Sequence, residues 1–192
     1  SGGTTSVENN LAAGAYTITI NDSYGCTVSN TITITQPTTA LTASVSASTN
    51  VACNGGNNGS ATVSASGGTG SYTYLWTPSG GTSAMATGLG AGNYTVTVTD
   101  LNGCVVTANP VITQPPTALT ASISTSANVT CFGAANGSAT VSANGGTGAY
   151  TYAWTPSGGT AATANSLMAN SYTVTVTDMN SCIQTATVSI IQ

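Results

Sequence analysis

The 192-residue sequence contains no lysine, no arginine and no histidine, and its only acidic residues are Glu8, Asp22, Asp100 and Asp178. Without cations there is no surface to neutralise phosphate, so neither nucleic acid nor anionic lipid is an expected partner. The usual general bases and Schiff-base nucleophiles are missing, and the carboxylates are too sparse to form a pair within one short segment, so no enzyme, catalytic residue or cofactor is expected. Salt bridges and Lys–Asn isopeptide crosslinks are impossible for the same reason, and trypsin-type proteases have no site to cut. No apolar run approaches the roughly 20 residues of a membrane span, so membrane insertion is not expected. The sequence has neither an initiating Met nor a signal peptide, and it is expected to be internal to a longer protein.

What the sequence has in abundance is repetition. Gly92-Asn-Tyr-Thr-Val-Thr-Val-Thr-Asp-Leu-Asn-Gly-Cys104 recurs as Gly14 to Cys26 and as Asn170 to Cys182, at an interval of 78 residues (104 − 26 and 182 − 104). Tyr94, Val96 and Val98 alternate with Thr95, Thr97 and Thr99, the pattern of a strand buried on one face. Each copy then closes in Asp-x-Asn-x or a close variant, hairpin-turn chemistry directly before a cysteine. The interval divides the chain into 1–37, the C-terminal half of a first repeat, and two complete repeats, 38–115 and 116–192. Ser1-Gly2-Gly3-Thr4 matches Ser79 to Thr82 and Ser157 to Thr160, so the sequence is expected to start just after the Trp-Thr-Pro of its first repeat. Thr35-Gln36-Pro37 and Thr113-Gln114-Pro115-Pro116 are expected to be short, stiff connectors, because proline restricts its predecessor and cannot continue a ladder. Successive repeats should then form a rod.

Within 38–115 the alternating segments read as strands. Leu41, Ala43, Val45 and Ala47 give the first, and an Asn/Gly loop from Asn50 to Gly59 carries Cys53. Ala61, Val63 and Ala65 give the second, Tyr72, Tyr74 and Trp76 the third. A less regular stretch from Ser83 to Leu89 precedes the Gly92 strand. The last strand places Cys104, Val106, Ala108 and Ile112 on one face, with Pro110 interrupting the row. Nothing reads as a helix. Six or seven short strands per repeat predict an all-β fold: tandem immunoglobulin-like antiparallel β-sandwiches.

The ordered string Cys53-Asn-Gly-Gly-Asn-Asn-Gly-Ser-Ala-Thr-Val, Gly67-Gly68, Tyr72-Thr-Tyr-Leu-Trp76, Leu89, Gly92-Asn-Tyr-Thr-Val-Thr-Val-Thr-Asp and Asn102-Gly-Cys104 resembles the SprB repeat. That family comprises tandem modules of very large gliding-motility and cell-surface adhesins, typically exported by the type IX secretion route. The Tyr-x-Trp and Gly-x-Tyr-x-Val-x-Val half is also similar to polycystic-kidney-disease-type immunoglobulin-like domains. The resemblance implies a structural or adhesive array outside the cell and carries over no catalytic residue. The third repeat departs from the second at Phe132, Ala134 and Ala135, and at Asn170-Ser171 in place of Gly92-Asn93.

Each candidate site has a plain alternative. Trp76 and Trp154 could stack on sugars, but they share parity with Tyr72, Tyr74, Tyr150 and Tyr152. Core packing is therefore expected for these six, as for Tyr94 and Tyr172. Asp22, Asp100 and Asp178 recur as a calcium ligand would, yet Ca²⁺ takes about 6 to 8 oxygens. Capping of the hairpin turns is expected instead, and no metal. The threonine rows suit a solvent-facing sheet. Asn58, Asn93, Asn128 and Asn136 fit the N-glycosylation pattern. The expected partners are neighbouring repeats or copies of the chain, with surface polysaccharide as a second candidate.

The five cysteines, Cys53 and Cys131 in one register and Cys26, Cys104 and Cys182 in the other, lack the clustered spacing of a zinc site. They read as disulfide candidates in an oxidising, extracellular compartment. Pairing Cys53 with Cys104 and Cys131 with Cys182 inside each repeat is the simpler expectation, provided the long first loop folds back. In an immunoglobulin-like topology, however, those two positions lie at opposite ends of the sandwich, so a bond from Cys53 to Cys182 across a head-to-tail junction is the alternative.

Overall fold

A computed structural model describes residues 6–192; the Ser1 to Thr4 match lies outside the described residues, apart from which every segment discussed above is covered. The described chain is all-β, with sixteen strands and no helix.

The first two strands, β1 (Gly14–Asn21) and β2 (Thr27–Ile34), form an isolated antiparallel hairpin. The middle repeat holds β3 (Thr42–Thr49), β4 (Gly59–Ser66), β5 (Thr73–Thr77), β6 (Met85–Leu89), β7 (Gly92–Asn93), β8 (Thr95–Thr99), β9 (Val105–Ala108) and β10 (Val111–Ile112). The last holds β11 (Thr120–Ala127), β12 (Gly137–Asn144), β13 (Thr151–Thr155), β14 (Thr163–Leu167), β15 (Asn170–Thr177) and β16 (Ile183–Ile190). Each complete repeat contains two three-stranded sheets, β3-β4-β6 and β5-β8-β9 in one, β11-β12-β14 and β13-β15-β16 in the other, the strand grouping of an immunoglobulin-like sandwich. All pairings are antiparallel.

The cores follow from strand parity. Ala61 and Val63 of β4 and Ala86 and Leu89 of β6 meet Trp76 of β5, Val96 and Val98 of β8 and Ala108 of β9 in one buried cluster. The last repeat repeats it with Ala139, Val141, Ala164, Leu167, Trp154, Val174 and Val176. Valine, alanine, leucine and isoleucine make up most of each core, and one tryptophan and one tyrosine add its largest side chains. Trp76 and Trp154 are 3% and 5% exposed, and their indole N–H groups donate to the carbonyls of Ser83 and Ala161. Tyr94 and Tyr172 are buried and tie their hydroxyls to the carbonyls of Gly90 and Met168, four residues back. Tyr72, Tyr74, Tyr150 and Tyr152 are half-buried at the core margin.

Two local breaks interrupt the ladders. Proline has no N–H to donate, so the strand after the hairpin turn is split into β9 and β10 at Pro110 but runs unbroken as β16, where Val188 takes that place. In β3 the register shifts between Val45 and Ala47, and in β11 between Ile123 and Thr125. These bulges end the simple alternation of the first strand; Val45, just before the shift, is 41% exposed, whereas the equivalent Ile123 is half-buried.

Candidate functional site at the repeat junction

The site is assembled from two loops that the strands carry to opposite ends of a repeat. The first is the turn between β15 and β16. Asp178 Oδ1 accepts the N–H groups of Asn180 and Cys182, each at 2.9 Å, and its Oδ2 accepts the Thr147 N–H at 2.8 Å. Asp100 does the same with Asn102, Cys104 and Thr69. Asp22 caps its own turn through Tyr24 and Cys26, each at 2.9 Å. The carboxylate thus fixes the backbone of the cysteine that follows it. Gly68, at φ +64°, passes so close that an added Cβ would meet Asp100 Oδ2 at 2.5 Å, so this approach requires glycine.

Both buried aspartates have pKa values below the ordinary one. For Asp100 the Thr69 N–H is the largest influence; burial opposes it, and the N–H groups of Cys104 and Asn102 add to it. For Asp178 burial is the largest single influence and pushes upward, but the N–H groups of Cys182, Thr147 and Asn180 together outweigh it. The turns carry fixed negative charge with no cation anywhere to answer it.

The second loop runs from β3 to β4 and carries Cys53. It is anchored by Val51, which is 2% exposed, and by Asn58 Oδ1, which accepts the Ala52 N–H at 2.9 Å. It is also bonded along the connector to the next repeat. Val51 N–H donates to the Thr113 carbonyl at 2.9 Å and Thr113 N–H to Asn50 Oδ1 at 2.9 Å. Gly55 N–H donates to Gln114 Oε1 and the Asn54 amide to the Pro115 carbonyl, both at 2.8 Å. The connector is stiff because the loop holds it, as well as because of its prolines.

These two loops meet across the junction. Cys53 is joined to Cys182, with Cα atoms 5.7 Å apart at a sequence separation of 129. Beside the bond, the Asn180 side-chain amide donates to the Ala52 carbonyl at 2.9 Å and to Thr147 Oγ1 at 3.1 Å. Cys53 packs on the core margin of the following repeat, near Ala118, Leu119 and Gly146. The expected pairing within repeats is therefore corrected. Cys53 lies with the connector leaving its repeat, whereas Cys104 lies with Gln36 to Leu41, where the chain enters that repeat. A strand length separates them, beyond the reach of a disulfide. Cys26, Cys104 and Cys131 are exposed free thiols.

The sequence assigns no role to Asn180, Asn54 or Ala52, and Gln114 reads there only as part of a connector. The available signal was the recurrence of Gln-Pro at 36–37 and 114–115 and of Asn at 102 and 180. Of the N-glycosylation candidates, Asn58, Asn128 and Asn136 use their side-chain oxygens to hold loop or connector backbone, while Asn93 stands exposed on β7. Among the described residues no group of three or more Cys, Asp or Glu is placed to hold a metal ion.

The SprB repeat family model matches residues 45–82 and 123–159. The two matched stretches are two copies of the repeat, one in each complete sandwich. Each match starts in the first strand of a sandwich, spans the cysteine loop and ends just past the tryptophan strand. SprB repeats are associated with cell-surface proteins. No curated protein matches this chain.

Proposed function

We propose that this chain is a non-catalytic structural segment, part of the stalk or filament of an extracellular bacterial adhesin, whose SprB repeats act as covalently stapled links. The observation that carries this reading is the Cys53–Cys182 bond, which joins one complete repeat to the next beside a connector already held by the cysteine loop. A device of that kind resists bending and pulling between modules, and it suits an oxidising exterior. The absence of Lys, Arg and His fits a part with no chemistry of its own and with resistance to tryptic proteases. The rival reading, a carbohydrate-binding module, relied on exposed tryptophans, and Trp76 and Trp154 are buried.

Single-molecule stretching tests the proposal. In the oxidised chain the 129 residues spanned by the bond are shielded from load, so added reductant should release about 430–460 Å of further extension. Equal extension with and without reductant would remove the stapled-link reading. So would specific retention on immobilised polysaccharide that survives reduction.

A further inference from the structure

The surface around Cys104 repeats the occupied junction, one repeat earlier and without an occupant among the described residues. Gln36, Pro37, Ala40, Leu41, Gly68 and Cys104 line a recess there. They stand in the places that Gln114, Pro115, Ala118, Leu119, Gly146 and Cys182 take at the occupied junction. The hairpin turns are set alike, with Asp100 holding the Cys104 N–H at 2.8 Å as Asp178 holds that of Cys182 at 2.9 Å. The Asn102 amide donates to Thr69 Oγ1 at 2.9 Å, as the Asn180 amide does to Thr147 Oγ1. Asn180 makes one bond more, to Ala52 of the docked loop. Burial differs accordingly: Leu119 is 5% and Cys182 8% exposed, whereas Leu41 is half-buried and Cys104 exposed.

We infer that the Cys104 recess is a receptor for the cysteine-bearing Asn/Gly loop of a preceding SprB repeat in the same polypeptide, and that Cys104 forms a disulfide with that loop. The partner's chemistry follows from the occupied junction. Its loop supplies a backbone carbonyl for the Asn102 amide, an N–H for Gln36 Oε1, a side-chain amide for the Pro37 carbonyl, and a thiol. Two thiols become one disulfide by giving up two electrons and two protons to a low-molecular-weight disulfide, which is reduced to its two thiols. The staple at Cys53–Cys182 is then one member of a series in which each loop cysteine locks the hairpin cysteine of the next repeat. The same segment would also cover the apolar side of the β1–β2 hairpin. There Ile18, Ile20 and Ile32 are 55%, 63% and 50% exposed, although the residues matching Ile18 and Ile20, Val96 and Val98, are fully buried. This inference rests on junction geometry and holds whether or not the adhesin reading does.

The test uses the full chain extended ahead of Ser1 by a second copy of residues 38–78, which supplies one more loop cysteine. After oxidation with oxidised glutathione, non-reducing peptide mapping should find that cysteine bonded to Cys104, with Cys53–Cys182 intact. In the extended chain carrying Cys104→Ser, the added cysteine should become fully alkylatable. An added thiol that stays free, that bonds to Cys26, or a Cys104 that crosslinks two molecules instead would overturn the inference, whether or not the extension folds.

Discussion

The side-chain amide of Asn180 bonds to the carbonyl of Ala52, 128 residues earlier in the chain, and this polar contact sits directly beside the disulfide that joins the same two loops. Covalent and hydrogen-bonded restraints therefore act on one point. Replacing Asn180 by Ala should lower stability by about 0.5–1.5 kcal/mol, the ordinary worth of such a bond. The loss should be larger in a Cys53→Ser background, where the amide holds the junction alone. Denaturant melts of the four chains of the double-mutant cycle check this.

Removing the staple has a calculable consequence. In the chain-entropy model a bond closing 129 residues stabilises by about 5 kcal/mol. Cys53→Ser with Cys182→Ser should reduce the stability of the oxidised chain by up to that amount. Cys104→Ser, which touches a free thiol, should change little. Urea unfolding under oxidising conditions distinguishes the two.

Acid should weaken the complete repeats through Asp100 and Asp178. Both have folded pKa values below the unfolded value of about 3.9, so the unfolded chain takes up protons first as pH falls. Their contribution is fully present above about pH 5 and is lost as pH drops through the folded values. Thermal melts between pH 6 and 2 should show the decline, and Asp178→Asn should flatten it for the last repeat while lowering stability at neutral pH.

Ser181 has φ +64° where the equivalent turns use Gly103 at +81° and Gly25 at +83°. A Cβ at Gly103 meets nothing within 4 Å, so the only penalty for serine at this turn is backbone strain. Ser181→Gly should therefore stabilise the last repeat by about 1 kcal/mol, and Gly103→Ser should destabilise the middle one by a similar amount, read from the midpoints of their unfolding curves.

Trp76→Ala removes the largest side chain from a core otherwise built of alanine, valine, one leucine, one isoleucine and Tyr94. The expected cost is about 3–5 kcal/mol. Loss of the middle repeat's cooperative transition in calorimetry, with the last repeat's preserved, is the expected outcome; an unchanged transition would contradict the packing described.

Much of this architecture was legible beforehand because it depends on local rules. Tyr94, Val96 and Val98 alternate with threonines, so a strand buried on one face follows from side-chain geometry alone. Pro110 announced the break between β9 and β10 because it has no N–H. Val51 was less visible: it lies in a loop without period, and only the connector bonded over it makes it core. The bulge after Val45 was likewise hidden, since a shift in pairing register leaves the residue order unchanged.

The sequence by itself determined the strands, the 78-residue period and five cysteines in two registers, because period-two burial and exact repetition are properties of residue order. It did not determine their partners. Closing 129 residues rather than the 51 between Cys53 and Cys104 (104 − 53) costs only about 0.8 kcal/mol more in loop entropy, too little to choose a pairing. Tertiary structure decided the matter through position. The sandwich sends its Cys53 loop and its Cys104 turn to opposite ends, and the end-to-end meeting of two repeats brings Cys53 within 5.7 Å, Cα to Cα, of Cys182.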